Sequence, residues 1–258
     1  MTQELNDLIA LKHRFGEEML SKRLRQQVKI SASPFGEGRG HFHWENLRFI
    51  PLLLKSALKG LGVLERGHQN SLDFSVKEVV TKFHELPDTF DGYRILHLSD
   101  LHLDGMLDAG HALGGIVRNL EYDLCVITGD FRFDKLHGYD DTLNLMAALM
   151  EDISCPDGCF GVLGNHDFIE KVPGFETLGL RILLNESVNI RRGTETIHLI
   201  GIDDPHFYGT HDIEKASRDI PSSDFNILLA HSPEVVEEAA AAKMNLYLCG
   251  HTHGGQIC

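Results

Sequence analysis

Five short apolar runs in this sequence each stop at a residue able to bind a metal or move a proton, and that repetition constrains the fold more than any other feature. Tyr93–Ser99 runs into Asp100-Leu101-His102, and Leu124–Thr128 runs into Gly129-Asp130. Phe160–Leu163 delivers Gly164-Asn165-His166-Asp167, Asn226–Ala230 delivers His231, and Leu246–Cys249 delivers Gly250-His251-Thr252-His253. Runs of this length rich in Val, Ile and Leu read as buried strands. Helical spacing over Leu107–Leu120, and Ser232 as an N-cap with Pro233 after it, place helices between them. Strands alternating with helices make an α/β sheet, and such sheets bind ligands beyond the carboxyl ends of their strands.

Each strand end is a weak signal alone. A D-x-H occurs by chance, and Asn and Asp are common where strands turn. Their agreement carries the weight. In extended chain a spacing of two puts Asp100 and His102 on one side, and glycine before Asn165 lets the backbone turn sharply. Between the third and fourth runs, Leu180–Leu184, Val188–Arg191 and Ile197–Ile202 read as a meander on a second sheet. The expected architecture is therefore a two-sheet α/β sandwich flanked by helices. Asp203 and Asp204, after the last of these strands, read as a turn rather than as ligands.

The amino-terminal part has a different character. Residues 1–70 hold 11 Lys and Arg against 7 Asp and Glu, or +4, whereas the remainder has 13 against 31, or −18. Leu5, Leu8, Ile9, Phe15, Met19, Leu20 and Leu24 fit one amphipathic helix reaching to about Ile30, with Lys22, Arg23, Arg25 and Lys29 late in it. Ser31–Gly40 is a Gly, Ser and Pro-rich linker, and Ile50–Leu64 has helical spacing again. Ser75–Phe83 alternates as a strand. We expect a basic helical extension over 1–70, able to touch a membrane surface, and a catalytic domain over 71–258. The overall charge of −14 disfavours non-specific nucleic-acid binding. Five cysteines without framework spacing and no apolar leader point to a reducing, cytoplasmic setting. Cys155 and Cys159 lack the second pair that a zinc site needs.

Asp100, His102, Asp130, Asn165, His231, His251 and His253 are seven nitrogen and oxygen donors, enough for two divalent ions sharing one carboxylate. The joint pattern D-x-H, G-D, G-N-H-D, H and G-H-x-H, in this order, resembles the calcineurin-like metallophosphoesterases. The resemblance covers about Leu72–Cys258. Phe90-Asp91-Gly92, Gly201-Ile202-Asp203-Asp204-Pro205 and Gly250-His251-Thr252-His253-Gly254-Gly255-Gln256 are similar to the branch containing bacterial phosphodiesterases and UDP-diacylglucosamine pyrophosphatases.

The resemblance implies that Asp100, His102 and His253 hold one metal, that Asn165, His231 and His251 hold the other, and that Asp130 bridges them. The ions would be drawn from Mn, Fe, Zn, Ni and Co, with Mn favoured. His166 would act as general acid, oriented by Asp167, while a hydroxide activated by the two metals attacks phosphorus. The implied substrate is a phosphodiester or pyrophosphate, small or lipid-linked. Two departures from the family qualify this. Gly129-Asp130-Phe131-Arg132-Phe133-Asp134 is not the G-D-x-V-D-R-G of the protein phosphatases, which argues against a phosphoprotein substrate, and Arg132 reads as a surface ion pair. Relatives also continue past the final G-H-x-H, so the sandwich is expected to be truncated at Cys258. The competing readings are a non-catalytic scaffold on the same fold and a nuclease of the same superfamily.

Overall fold

Alternation along the central strands sorts the side chains into layers. In β2 (Leu124–Ile127), Leu124 and Val126 face one way and Cys125 and Ile127 the other, all fully buried. In β7 (Phe225–Leu229), Phe225, Ile227 and Leu229 pack with Leu124 and Val126, whereas Leu228 faces a third cluster with Val235 and Ala239. A strand buried on both faces needs cover on both, so the chain builds two sheets with helices outside each. The computed structural model describes residues 2–32, 56, 58–133 and 140–254.

The first sheet has the order β1 (Ile95–Leu98), β2, β3 (Cys159–Gly161), β4 (Leu180–Ile182), parallel throughout. The second has the order β5 (Glu186–Arg192), β6 (Glu195–Gly201), β7, β8 (Leu246–Leu248). There β5 and β6 form an antiparallel hairpin, and β7 and β8 join it in parallel. The α/β two-sheet sandwich expected from the sequence is the fold observed. Residues from both inner faces form the shared core: Val162 and Leu183 from one side, Ile190, Ile197, Leu199 and Ile227 from the other.

Three expected elements differ. Leu180–Leu184 belongs to the first sheet rather than to a meander on the second, because the helix Val172–Thr177 provides the crossover that brings β4 parallel to β3. Leu180 and Ile182 then fill the same core as Ile127. Ser75–Phe83 forms no strand: Val79 is 80 % and Val80 84 % exposed, and the segment is held by Phe83, which packs edge-on to Phe225 at 5.0 Å. The single amino-terminal helix is two, α1 (Thr2–Phe15) and α2 (Glu17–Ala32), parted at Gly16, whose φ of 96° is one that glycine adopts freely. The break lets Leu11, Phe15 and Leu20 all enter the first-sheet core. Residues 33–40 of the expected linker, and residues 50–55 and 57 of the expected helix over Ile50–Leu64, lie outside the described residues.

One titrating group is built into the sheet. His97 in β1 faces Thr128 Oγ1 at 2.9 Å, and burial, opposed weakly by Asp100, pushes its pKa down to about 4. A histidine depressed in the fold binds its proton more readily when unfolded, so its stabilising contribution is full above about 6.5 and is lost as the pH falls towards 4. The loss is roughly 3 kcal/mol. His97→Gln is expected to flatten this part of the acid destabilisation, read as the urea midpoint at pH 7 and at pH 4.5. An unchanged difference between the two pH values would remove His97 as its source.

Candidate metal centre

The carboxyl ends of β1, β2, β3, β7 and β8 open on one rim, and the loops there are stitched together by their backbones. Asp100 N donates to Gly129 O (3.1 Å), His102 N to Asp130 O (2.9 Å), and Gly250 N to His231 O (2.8 Å). The conformations are unusual. Eight described non-glycine residues have positive φ, and five of them are Asp100, His102, Asp130, His251 and His253. Each such residue costs on the order of 1–3 kcal/mol unless its surroundings enforce it, and such residues gather at functional sites. Close backbone approach explains the glycine before Asn165: a Cβ at position 164 would lie 2.6 Å from the Asp130 amide nitrogen.

All seven expected ligands and His166 come together on this rim. Asp100, His102 and His253 form one cluster whose ligand atoms lie within 4.8 Å of one another, and Asp100, Asp130 and His231 form a second. Asp100 is common to both, and Asp130 Oδ2 lies 3.7 Å from His102 Nε2 and 3.4 Å from His231 Nε2. Asn165 Oδ1 is 3.0 Å and His251 Nδ1 is 3.2 Å from the same His231 nitrogen.

The far side of each ring fixes its proton. His231 Nδ1 donates to Thr128 O at 2.8 Å and His102 Nδ1 to Arg132 O at 2.8 Å, so in the neutral rings both Nε2 atoms carry lone pairs turned towards Asp130. A backbone carbonyl behind the ring is the usual support of a ligating histidine. Lone pairs of two imidazoles, an amide oxygen and a carboxylate aimed at one small region repel one another unless a cation lies between them. This donor set fits divalent ions that accept nitrogen and oxygen. In the metal-free site a proton on His231 Nε2 takes that place. Burial alone would lower the His231 pKa, but the hydrogen bond and charge of Asp130 push it up to about 9, and burial of Asp130 is outweighed by His231, which holds that carboxyl far below the usual range.

Asp167 does not orient His166. Its carboxylate is 1 % exposed and accepts three backbone N–H groups, from Asp130 (2.7 Å), Gly164 (2.8 Å) and Phe131 (3.0 Å). Those amides draw it inward, to fasten the turn after β3 onto the turn after β2. Burial, with the Asp130 charge nearby, raises its pKa to about 6. His166 Nδ1 instead faces Phe133 O at 2.9 Å, which turns Nε2 towards Asp130 Oδ2 at 4.0 Å, and its ring packs edge-on to His102.

Arg132 does not lie at the surface. It is 3 % exposed, with its guanidinium over the Phe168 ring at 4.8 Å. Asp203 is no solvent-facing turn residue either: it is fully buried and pairs with Arg23 at 2.6 Å. Asp204 does serve the turn, its Oδ2 accepting from the amides of Phe207 and Tyr208. The sequence leaves the role of His206 open; its ring lies 4.9 Å from that of His251 and its Nδ1 bonds Glu234. Its place straight after Asp203-Asp204-Pro205 was the available signal. Sequence reasoning missed Phe133, 60 % exposed beside His102 and His166.

Comparison with known proteins agrees with this geometry. A family model described as calcineurin-like phosphoesterase matches residues 93–255. The uncharacterized metallophosphoesterase YkoQ of Bacillus subtilis (strain 168) is 29 % identical over 222 residues, covering 81 % of this chain and 78 % of that protein. A Bos taurus protein named transmembrane protein with metallophosphoesterase domain is 30 % identical over 235 residues, 81 % of this chain but 50 % of its own length. The uncharacterized metallophosphoesterase YkuE of Bacillus subtilis is 30 % identical over 183 residues, 67 % of this chain and 62 % of that protein.

Proposed function

We propose that this chain, which belongs to the calcineurin-like phosphoesterase family, hydrolyses a phosphodiester or pyrophosphate bond with two divalent metal ions and His166 as general acid. Family membership carries metal-dependent phosphoester hydrolysis; the bond, the two-ion stoichiometry and the roles of single residues are our reading. The observation that supports it most is the convergence on Asp130 of the Nε2 atoms of His102 and His231, each ring fixed from behind by a backbone carbonyl.

Asp100, His102 and His253 would hold one ion, Asn165, His231 and His251 the other, and Asp130 both. When bound, paired divalent ions supply a nucleophile at neutral pH and charge to stabilise phosphoryl oxygens; Mn is the ion we favour. The remaining work belongs to the chain. Asn165 contributes an oxygen without negative charge, which leaves the site cationic enough to attract phosphate. His166, with Nδ1 held by Phe133 O, presents Nε2 to the departing oxygen and gives it a proton. Asp167 keeps the two turns together and takes no part in proton transfer.

The amino-terminal residues bear on the substrate. Leu11, Phe15 and Leu20 are buried in the domain, while Leu5, Leu8 and Ile9 of α1 stay exposed at 57, 39 and 46 %. That short apolar strip supports contact with a lipid surface and so a lipid-linked substrate. No helix among the described residues is long and apolar enough to cross a membrane. The branch resemblance to UDP-diacylglucosamine pyrophosphatases points the same way.

One assay separates the possibilities. Mn-loaded protein is given phosphomonoesters, phosphodiesters and nucleotide-sugar pyrophosphates in solution, and a lipid pyrophosphate in anionic vesicles. Turnover of a diester or pyrophosphate is expected, and faster turnover in vesicles than for Leu5→Gln/Leu8→Gln/Ile9→Gln would support the membrane contact. Activity on none of them would return the scaffold reading.

A further inference from the structure

The turn that carries Asn165 and His166 is gripped from two sides, and one grip comes from a helix outside the family-matched residues 93–255. On the inner side the Asp167 carboxylate binds the amides of Gly164, Asp130 and Phe131. On the outer side the carbonyls of the same turn face α2. Arg23 Nη2 donates to Asp167 O at 2.9 Å and to Gly164 O at 3.3 Å, while Nη1 donates to Asp203 Oδ1 at 2.6 Å. One helical turn later Gln27 Oε1 accepts from Ile169 N at 3.0 Å.

Arg23 and Asp203 are both fully buried, and the guanidinium also lies 3.8 Å from the centre of the Tyr208 ring. Tyr208 Oη in turn points at Asn165 O, 3.5 Å away. Burying such a charge carries a large desolvation cost, and well-packed apolar residues often serve a core as well or better. Stability is therefore a poor account of it. A guanidinium supplies something an apolar side chain and a lysine do not: donors in a fixed plane that grip a carboxylate and two carbonyls at once.

We infer that Arg23, seconded by Gln27, is a positioning residue that fixes the Gly164–Asp167 turn so that Asn165 and His166 face Asp130. The inference rests on the assignment of Asn165 as a metal ligand and His166 as the acid. It gives α2 a role in the site itself: the helix completes the support of one ligand from outside the matched domain.

The test uses the full chain with two variants. Arg23→Lys keeps a charge for Asp203 but cannot span both carbonyls; Arg23→Met/Asp203→Met removes pair and fork together and keeps apolar volume in the core. Amide hydrogen exchange is measured on the metal-free proteins, then Mn binding by calorimetry and kcat on the substrate found by the screen. Expected is exchange at least about tenfold faster at the amides of Gly164, His166, Asp167 and Ile169, with the rest of the first sheet unchanged. Mn affinity at one of the two sites should fall 10- to 100-fold, as for loss of an outer-shell partner, and kcat should fall with it. A folded double variant with wild-type exchange over that turn, wild-type Mn binding and wild-type kcat would overturn the inference and leave Arg23 a structural residue. Should the double variant fail to fold, the lysine variant decides by the same readings. Absence of Mn binding by the wild-type chain would refute the metal reading instead, and the exchange data would still decide whether Arg23 fixes the turn.

Discussion

Asp130→Asn is expected to leave a folded chain that retains at most one ion and loses more activity than the roughly 10–100-fold typical of an outer-shell partner. The change is nearly isosteric. Asn keeps an oxygen to accept from His166 N, the bond that Asp130 Oδ1 makes at 2.9 Å. What it removes is the charge at Oδ2, the atom facing His102 Nε2 and His231 Nε2. Elemental analysis after purification in excess Mn should move from about two ions per chain to one or none. A second reading needs no metal. The His231 pKa stands at about 9 because Asp130 outweighs burial, so in metal-free Asp130→Asn burial should prevail and the imidazole should titrate well below that. Two retained ions with full activity would end the bridging assignment. An unshifted His231 would show that Asp130 is not the source of its field.

How much of this was legible in the sequence depends on how local the signal is. The strand ends were legible because each carries its chemistry within a few residues of an apolar run, and the loops that join them follow from backbone contacts at glycines. The seven donors and His166 could therefore be named before their geometry was known. Asp167 was misjudged for a reason of the same kind. Adjacent residues after a sharp turn point in different directions, and the carboxylate was drawn inward by three amide donors, two of them from the β2 turn thirty-odd residues away. Nothing in Asn165-His166-Asp167 as a string shows where those amides lie.

The amino-terminal region shows where local reading ends. Its basic character suggested a surface, yet Arg23, one of the charges counted there, is among the most buried side chains in the molecule. Its partners Asp203, Gly164 and Asp167 lie more than 140 positions along the chain, and no periodicity reports such a pairing. β4 was misplaced because strands of the first and second sheets have the same apolar pattern; the crossover helix that decides between them is only six residues long. Asp203 fell to the same limit, since an acid after a strand reads as a turn until the arginine that buries it is found.

His166→Ala should keep both ions and yet lose activity by about 10²–10⁴-fold when the departing oxygen is a strongly basic alkoxide. The geometry sets this apart from every neighbouring change. His166 Nδ1 is occupied by Phe133 O, Nε2 points into the site 4.0 Å from Asp130 Oδ2, and the side chain is 23 % exposed, open to a substrate as the fully buried His231 is not. A proton delivered from Nε2 matters only if the leaving group needs it. p-Nitrophenolate is a stable anion, so on a p-nitrophenyl phosphodiester the same variant should lose far less than on the matched alkyl diester. Asp167→Asn makes the contrast: it weakens three backbone contacts under the turn, so its loss should be similar on both substrates and accompanied by weaker metal binding. Equal losses for His166→Ala on the two diesters, with metals intact, would assign the ring to charge stabilisation in the transition state rather than to proton transfer. Loss of an ion would make it a ligand, and unchanged rates on both would take it out of the mechanism.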